Sequence, residues 1–412
     1  MSENSAARRV VQGPDHDPNE VLQRSPFQSR IDAASSAEQW MSWNGYKTAR
    51  LYDTLASEYF AIRSSCSVMD LTPMEKYRIS GPDALRFLNR LVTRDLSSLA
   101  PGRVAYVVWC NDEGQVLDDG TVFHLSSGDY RLCAQHHQLD WLLMSSLGMD
   151  VQVRLETHDV AALAVQGPTA CAVLRAAGLA GLEALKPFQI VETRLTHAEG
   201  TFDVTVSRTG YTGDLGYELW LEPRWAIALW DSVFEIKQRG LFDIRPIGLS
   251  ALEIVRLEAG FIMPGDDFVT AETAVRSGRT RNPFEVGLGW LVNFEKGHFT
   301  GRRALLEQSS RPIQRRLLKL AVDGNKAPVD AFLYGRKGGK QLGEIRVQAW
   351  SPIMKTHVAT ADVRYIGGQP PERLWAQIYY AKELAWQVKW ARCTVLDKPL
   401  WQHPRRTATP PE

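Results

Sequence analysis

The spacing of apolar and polar residues divides most of the chain into alternating helices and strands. Apolar residues recur at helical spacing in 52–65, and two amphipathic patterns, 225–240 and 248–260, end at a glycine as many helices do. A strand followed by a helix occurs twice, in 75–91 and in 160–176. The pattern therefore predicts two related α+β units. Short apolar or alternating runs typical of strands lie at 66–71, 75–79, 102–109, 115–125, 129–134 and 160–165.

The pattern changes after a polar segment, 306–315, which contains Pro312 and suits a domain boundary. Five strand-like stretches follow and predict a small antiparallel β domain. They lie at 316–322, 343–350, 356–364, 374–379 and 387–395. The predicted organisation is a flexible lead-in (1–24), a region of two α+β domains (25–310), the β domain (311–398) and an irregular tail (399–412).

Composition and charge exclude several classes of function. The chain has 412 residues, of which 44% are hydrophobic and 23% charged, as is ordinary for a soluble globular protein of two or three domains. Its formal net charge of +1 lacks the basic excess that nucleic-acid binding requires. No run of 18 apolar residues indicates a membrane span, and residues 1–20 lack the apolar core of a signal peptide. We expect a cytoplasmic protein that binds neither nucleic acid nor membranes.

The five cysteines predict neither a disulfide framework nor a metal site. They stand far apart in the sequence, without a C-x-x-C pair or a cluster with histidine. Reduced thiols in a cytoplasmic protein fit this distribution. We therefore expect no metal.

The segment 208–220, R-T-G-Y-T-G-D-L-G-Y-E-L-W, is the most unusual in the chain. Its three glycines allow a tight turn and a close approach of the backbone to a bound group. The alternating run after the turn predicts a return strand with Glu218 near its start. A hairpin built only for folding needs no such set of glycines, tyrosines and acids. An ordinary solvated hairpin tip is the alternative.

Asp118 and Asp119 are adjacent within a predicted strand. Neighbouring strand residues face opposite sides of a sheet, so one of the two must point inward. A buried carboxylate needs partners or a chemical task. The inward aspartate either accepts hydrogen bonds from loop N–H groups or takes part in chemistry.

Five segments, in unbroken order over roughly residues 25–395, resemble the aminomethyltransferase (glycine-cleavage T-protein) family. Residues 208–220 are similar to its G-Y-T-G-E-x-G-x-E segment. Residues 102–119 resemble its G-R-x-x-Y…N-E-x-G-G-x-x-D-D, 164–168 its L-Q-G-P strand end, 256–260 its R-L-E-A-G helix and 343–363 its C-terminal barrel. The resemblance implies an α+β fold of two related units with a small C-terminal antiparallel β-barrel.

The resemblance also implies a tetrahydrofolate site. Carried over by motif, Glu218 would bind the amino and N3–H edge of the pterin, and Tyr106 and Tyr211 would line the folate. Asp119 would be the catalytic carboxylate beside the reactive nitrogens of the folate. Arg405 and Arg406 would either touch the folate's glutamates or be solvated.

Three departures from the T-protein pattern point to the demethylase branches of the family, the dimethylsulfoniopropionate demethylases and vanillate-type O-demethylases. Leu252 replaces an arginine of the G-L-A-A-R helix, Gly120 follows the aspartate pair, and 282–287 reads N-P-F-E-V-G. These branches move an intact methyl group and need no lipoyl carrier.

We therefore expect a tetrahydrofolate-dependent methyltransferase, a demethylase, that moves a methyl group from a small O-, S- or N-methyl donor to N5 of tetrahydrofolate. A T-protein-type aminomethyltransferase that makes 5,10-methylene-tetrahydrofolate is the first alternative. A non-catalytic folate-binding accessory protein for iron–sulfur assembly is the second, and His298 in place of its motif cysteine disfavours it. The sequence identifies neither the donor, nor the leaving-group acid, nor the oligomeric state.

Overall fold

The computed structural model describes residues 22–276 and 278–410. Eight α-helices are numbered in chain order: α1 Gln28–Ala34, α2 Leu55–Ser64, α3 Ala84–Leu91, α4 Leu139–Ser145, α5 Ala170–Ala176, α6 Ala226–Gln238, α7 Leu249–Glu258 and α8 Arg302–Ser309. Short 3₁₀ turns lie at Pro223–Trp225, Gly289–Leu291 and Pro404–Arg406. Within the described ranges, no helix is long and apolar enough to cross a membrane.

Nineteen strands are described. In the first two thirds of the chain they are β1 Gln39–Trp43, β2 Tyr46–Leu51, β3 Cys66–Asp70, β4 Glu75–Ser80, β5 Arg103–Cys110, β6 Val116–Ser126, β7 Asp129–Ala134, β8 Gln152–Leu155, β9 Ala161–Gln166, β10 Ile190–His197, β11 Gly200–Ser207, β12 Gly216–Leu221 and β13 Ile244–Pro246. The rest are β14 Arg315–Val322, β15 Phe332–Tyr334, β16 Gln341–Ser351, β17 Thr356–Arg364, β18 Leu374–Lys382 and β19 Ala385–Val395.

Two sheets form the first part of the molecule, as the two predicted α+β units require. One has six strands in the order β10-β11-β12-β9-β3-β13, with only the β13–β3 pair parallel. The other has five antiparallel strands in the order β5-β6-β7-β4-β8. The predicted strand–helix pairs are β4 with α3 and β9 with α5, one in each sheet. The β1–β2 hairpin stands apart from both sheets.

The remaining strands form a closed antiparallel barrel in the order β14-β17-β16-β15-β18-β19. The C-terminal β-barrel implied by the sequence is therefore confirmed. The pattern of apolar residues missed β15, a three-residue strand that pairs with β16 and β18 and closes the barrel.

The two sheets pack against each other through a shared apolar cluster, which also includes residues of α7 and the barrel. Trp220 of the six-stranded sheet meets Phe123 of the five-stranded sheet edge-to-face, with ring centroids 5.1 Å apart. Each fully buried side chain of this size contributes roughly 1.5–3 kcal/mol to folding. The faces of the two sheets are thus held together.

Glu258, at the end of α7, joins three parts of the molecule. Its carboxylate accepts hydrogen bonds from Tyr59 Oη at 2.7 Å, Arg63 Nη2 at 2.6 Å and Ser351 Oγ at 2.6 Å. The first two residues belong to α2 and the third to the barrel strand β16. All of these groups are buried, so loss of Glu258 would leave Arg63 with an uncompensated charge.

Residues of the tail return to the α+β region. Arg405 forms a bidentate ion pair with the buried Asp214, with Nε–Oδ1 at 2.5 Å and Nη2–Oδ2 at 2.8 Å. The guanidinium of Arg208 donates to the carbonyl of Ala408 at 2.5 Å. Arg405 therefore holds the 208–220 turn and is not simply solvated. At the other end, residues 1–21 of the predicted lead-in lie outside the described residues, and Gln23 bonds to the β1–β2 hairpin.

Candidate active site

The glycines of 208–220 serve close packing within the protein. A Cβ at Gly210 or Gly216 would stand about 2 Å from Gln166 Oε1. The Gln166 amide donates at 3.2 Å to the carbonyls of Thr209 and Tyr217, so it ties the two arms of the turn together. The predicted close approach therefore occurs, and its partner is a side chain of the same protein. Gln166 ends β9, in the segment that resembles L-Q-G-P.

Glu218 lies on β12 between β11 and β9, where its backbone pairs with Ser207 and Ala164. Its Oε2 accepts a hydrogen bond from Thr209 Oγ1 at 2.5 Å. Burial raises the pKa of the Glu218 carboxyl to about 7, against hydrogen bonds from Thr209 and Ser207 that lower it. Within the described residues it forms no ion pair. The carboxylate is thus desolvated and keeps acceptor capacity for a donor-rich ligand.

The two adjacent aspartates have different roles. Asp118 is fully buried, and its oxygens accept the backbone N–H groups of Asp119 and His136, each at 2.9 Å. Asp119 points to the opposite face, where it remains partly accessible and accepts a short hydrogen bond from the hydroxyl of Tyr106. Asp118 is therefore the inward carboxylate that accepts backbone N–H groups. For Asp119 a part in chemistry stays a prediction.

Burial raises the pKa of Asp119 to about 8. The negative charge of Asp118 raises it further, and the Tyr106 hydrogen bond and the charge of His136 oppose the shift. A carboxyl with this pKa exchanges a proton readily near neutral pH. Perturbed carboxyl groups of this kind are typical of functional sites.

The two predicted folate-lining tyrosines lie around Asp119. Tyr211 donates to the carbonyl of Ile262 at 2.5 Å, and its ring stacks on Phe261 with centroids 5.3 Å apart. Burial raises the pKa of Tyr106 and of Tyr211 well above the ordinary value, and the charge of Asp119 raises both further. Tyr106, Asp119 and Tyr211 are therefore near one another.

Glu218 faces the same region from the six-stranded sheet. Burial raises the pKa of Cys133 on β7 to about 12, and the charge of Glu218 adds to this rise. Cys133 lies opposite Thr121 in the five-stranded sheet, two residues from Asp119. All four predicted site residues keep some accessible surface although burial dominates their pKa values. They lie on or beside the strands whose side chains meet in the shared apolar cluster of the two sheets, and we call this region the cleft.

The wall beside Tyr211 is apolar where the resemblance places an arginine. Leu252 of α7 is 8% exposed and belongs to the buried cluster against which Trp43, Met74 and Tyr211 pack. Arg256 of the same helix is near enough that its charge opposes the rise that burial causes in the pKa of Tyr211, so the surroundings of Tyr211 are apolar at Leu252 and charged at Arg256.

Sequence reasoning missed two residues of the cleft, His136 and Asp266. Burial raises the pKa of Asp266 to about 6, and the charge of His136 opposes this rise. His136 follows the end of β7, the strand that pairs with the aspartate-bearing strand β6. The available signal in the sequence was a histidine directly after β7, the strand that pairs with the strand of Asp118 and Asp119.

Comparison with known proteins identifies the family. A model described as the GCVT N-terminal domain matches residues 32–296. The chain belongs to the GCVT family. Tetrahydrofolate is the cofactor of this family, as the sequence resemblance implied. The cleft fits it, because Glu218 offers an unpaired, desolvated carboxylate and Tyr106 and Tyr211 offer aromatic surface.

Two relatives of this GCVT family chain are named for different reactions. An aminomethyltransferase of Halothermothrix orenii is 30% identical over 339 residues, which are 81% of this chain and 90% of the relative. A trimethylamine-oxide aldolase of Ruegeria pomeroyi is 35% identical over 364 residues, which are 85% of this chain. The match spans only 44% of that relative.

A solved structure supports the same fold for this GCVT family chain. Aminomethyltransferase T of the glycine cleavage system from Bartonella henselae superposes with a TM-score of 0.79. The superposition covers 93% of this chain and 99% of the other at 23% identity. The predicted fold of two α+β units with a C-terminal barrel is confirmed.

Proposed function

We propose that this GCVT family member is a cytoplasmic tetrahydrofolate-dependent methyltransferase. It moves a methyl group from a small O-, S- or N-methyl donor to N5 of tetrahydrofolate. When bound, tetrahydrofolate supplies the nucleophilic nitrogen. The protein positions the reacting groups, which for well-oriented groups is worth roughly 7–11 kcal/mol of the activation barrier. It also supplies electrostatic stabilisation.

Each predicted residue has a task in this proposal. Glu218 holds the amino and N3–H edge of the pterin through charge-assisted hydrogen bonds, which its lack of a cationic partner permits. Tyr106 and Tyr211 line the folate, and Tyr106 also orients the Asp119 carboxylate through its hydroxyl. In its ionised form, which becomes the major form above about pH 8, Asp119 stabilises positive charge near the reacting nitrogen and accepts its proton.

The observation that carries the proposal is the environment of Leu252. This side chain belongs to the apolar cluster against which Tyr211 packs, and it stands at the position that is an arginine in T-proteins according to the sequence resemblance. An apolar side chain there suits a methyl group, because burying apolar surface is favourable and burying an unpaired cation is not.

The alternative is a T-protein-type aminomethyltransferase that acts on a lipoyl carrier and makes 5,10-methylene-tetrahydrofolate. The aminomethyltransferases among the relatives favour it, and the chain covers 90% of one of them. The cleft around Asp119 suits either transfer, so the product decides between them. A folate-binding protein without transfer activity is the remaining alternative.

The test is anaerobic incubation of the purified protein with tetrahydrofolate and a panel of donors. The panel contains methoxybenzoates, sulfonium compounds, betaines, N-methyl amino acids and an aminomethylated lipoyl carrier protein. Mass spectrometry separates 5-methyl- from 5,10-methylene-tetrahydrofolate. We expect 5-methyl product from one donor class and a loss of product in Asp119→Asn.

Leu252→Arg is the matched variant, because it restores the T-protein residue in the apolar wall. We expect it to slow methyl transfer at least tenfold while folate binding persists. Methylene product from the lipoyl carrier alone would establish the T-protein alternative. Folate binding without turnover of any donor would instead indicate a binding protein.

A further inference from the structure

His136 is a buried imidazole held beside the site by a carboxylate that bonds only protein groups. Its backbone N–H donates to Asp118 Oδ2 at 2.9 Å, and its ring Nδ1 lies 3.4 Å from the same oxygen. Asp118 is fully buried, and its other oxygen accepts the backbone N–H of Asp119. The carboxylate is thus fixed by two backbone donors and directed at the ring.

The two ring nitrogens of His136 have different surroundings. Nδ1 is buried and has no hydrogen-bond partner, so it is the nitrogen that faces Asp118. Nε2 lies next to Gly265, where an added Cβ would stand 3.2 Å away. Gly265 has φ +88°, a conformation that favours glycine. The side chain is 27% exposed, so one edge of the ring is open while the other is held.

Charges from several elements face this imidazole. Burial lowers the pKa of His136, but the nearby carboxylate of Asp118 and the charges of Glu272 and Asp266 together raise it above the ordinary 6.5. Asp119 faces it as well, since the charge of His136 lowers the pKa of that carboxyl. The ring therefore holds a proton more firmly than a free imidazole does, and it lies within electrostatic reach of Asp119.

We propose that His136 is the acid that gives a proton from Nε2 to the leaving atom of the methyl donor, and that Asp118 is its positioning residue. This inference rests on the function proposed above. The bond between the leaving atom and the methyl carbon breaks, and its electron pair stays on the leaving atom, which takes the proton of His136. Asp119 takes the proton released from the methylated nitrogen. One proton then passes from Asp119 to His136 and restores both groups.

An acid at this place narrows the donor class. A sulfonium or quaternary ammonium donor releases a neutral leaving group and gains nothing from protonation. A neutral methyl ether releases an alkoxide or phenoxide, which a general acid stabilises by about 10²–10⁴-fold in rate. The donor that makes use of His136 is therefore a methyl ether, with the ether oxygen directed at Nε2.

The decisive experiment compares His136→Gln with His137→Gln. His137 is the adjacent histidine, with an exposed side chain that only approaches Glu75, so it is the matched control. A series of aryl methyl ethers with phenol leaving groups of increasing pKa is turned over by each protein. We expect the wild type and His137→Gln to show a shallow dependence on leaving-group pKa. For His136→Gln we expect a steep dependence and a loss of about 10²-fold or more with the most basic phenol.

A second readout needs neither folate nor turnover. NMR titration of the His136 ring in the folate-free protein should give a pKa above 6.5, and Asp118→Asn should lower it. A wild type that makes no 5-methyl product from any ether, sulfonium, betaine or N-methyl donor overturns the proposed function and this inference together. 5-Methyl product from sulfonium or N-methyl donors but from no ether overturns this inference alone. Equal leaving-group dependence in His136→Gln and His137→Gln, or a His136 ring that is neutral at pH 6.5, overturns this inference alone.

Discussion

Replacing Asp119 by asparagine should stabilise the folded protein while it abolishes transfer. In the folded state burial raises the pKa of this carboxyl from 3.8 to about 8. Ionisation is therefore easier in the unfolded chain than in the folded protein, and the aspartate makes folding less favourable at neutral pH. An asparagine of the same shape accepts the Tyr106 hydroxyl and carries no charge.

The size of the effect follows from the two pKa values. The unfavourable free energy accumulates at about 1.4 kcal/mol per pH unit above 3.8, which amounts to about 4 kcal/mol at pH 7. Asp119 keeps some contact with water, so we expect a gain of about 2–4 kcal/mol for Asp119→Asn. For a chain of this length that corresponds to a rise in Tm of about 2–5 °C.

The assay is thermal unfolding of wild type and variant between pH 4 and pH 8. A carboxyl with a raised folded-state pKa contributes stability that is present below pH 3.8 and is lost as the pH rises through about 8. The difference in Tm between variant and wild type should therefore be small at pH 4 and largest at pH 8.

Asp118→Asn is the matched control, because its carboxylate accepts two backbone N–H groups. An amide nitrogen cannot accept, so one buried donor loses its partner at a cost of about 1–3 kcal/mol. Adjacent aspartates should thus give opposite signs. An Asp119→Asn variant that is no more stable than wild type at pH 8, or whose gain does not grow with pH, would refute the desolvation of this carboxyl.

Two further outcomes can be measured on the same preparations. Tetrahydrofolate should bind more tightly as the pH rises from 6 to 8, because it binds the ionised form of Glu218 and the pKa of this carboxyl is about 7. Calorimetry of Glu218→Gln should show binding that is at least tenfold weaker and independent of pH. Arg405→Ala should lower the free energy of unfolding in urea by about 2–3 kcal/mol, because the buried Asp214 then has Arg63 as its nearby cation, at 3.7 Å. An unchanged midpoint of urea unfolding would show that the tail is not bound in solution.

The sequence predicted the parts of the fold that depend on local periodicity. The helices 225–240 and 248–260 correspond to α6 and α7, and the aspartate-bearing strand 115–125 to β6. The strand pattern 316–395 indicated the barrel domain, although the three-residue β15 is too short to show a period.

The site was predictable only where motif and strand geometry coincide. Alternation along β6 required Asp118 and Asp119 to face opposite sides, but only the packing of the sheets shows which of them accepts backbone N–H groups. His136 was not predicted as a site residue because its interest depends on the contact with Asp118, which lies on β6, 18 residues earlier in the chain. The glycines of 208–220 predicted a close approach of the backbone to a bound group. Two of them instead allow the Gln166 side chain to pack against the backbone.

The contact between Arg405 and Asp214 has a consequence for the order of events during synthesis. The two residues are separated by 191 positions, and the buried aspartate lies in the turn that leads directly to Glu218. A ribosome that has completed both α+β sheets still holds a chain in which this carboxylate has only Arg63 within 3.7 Å. The ion pair that completes the contacts of the turn therefore forms only after the whole barrel has emerged, so this turn of the α+β region reaches its final set of contacts late in synthesis.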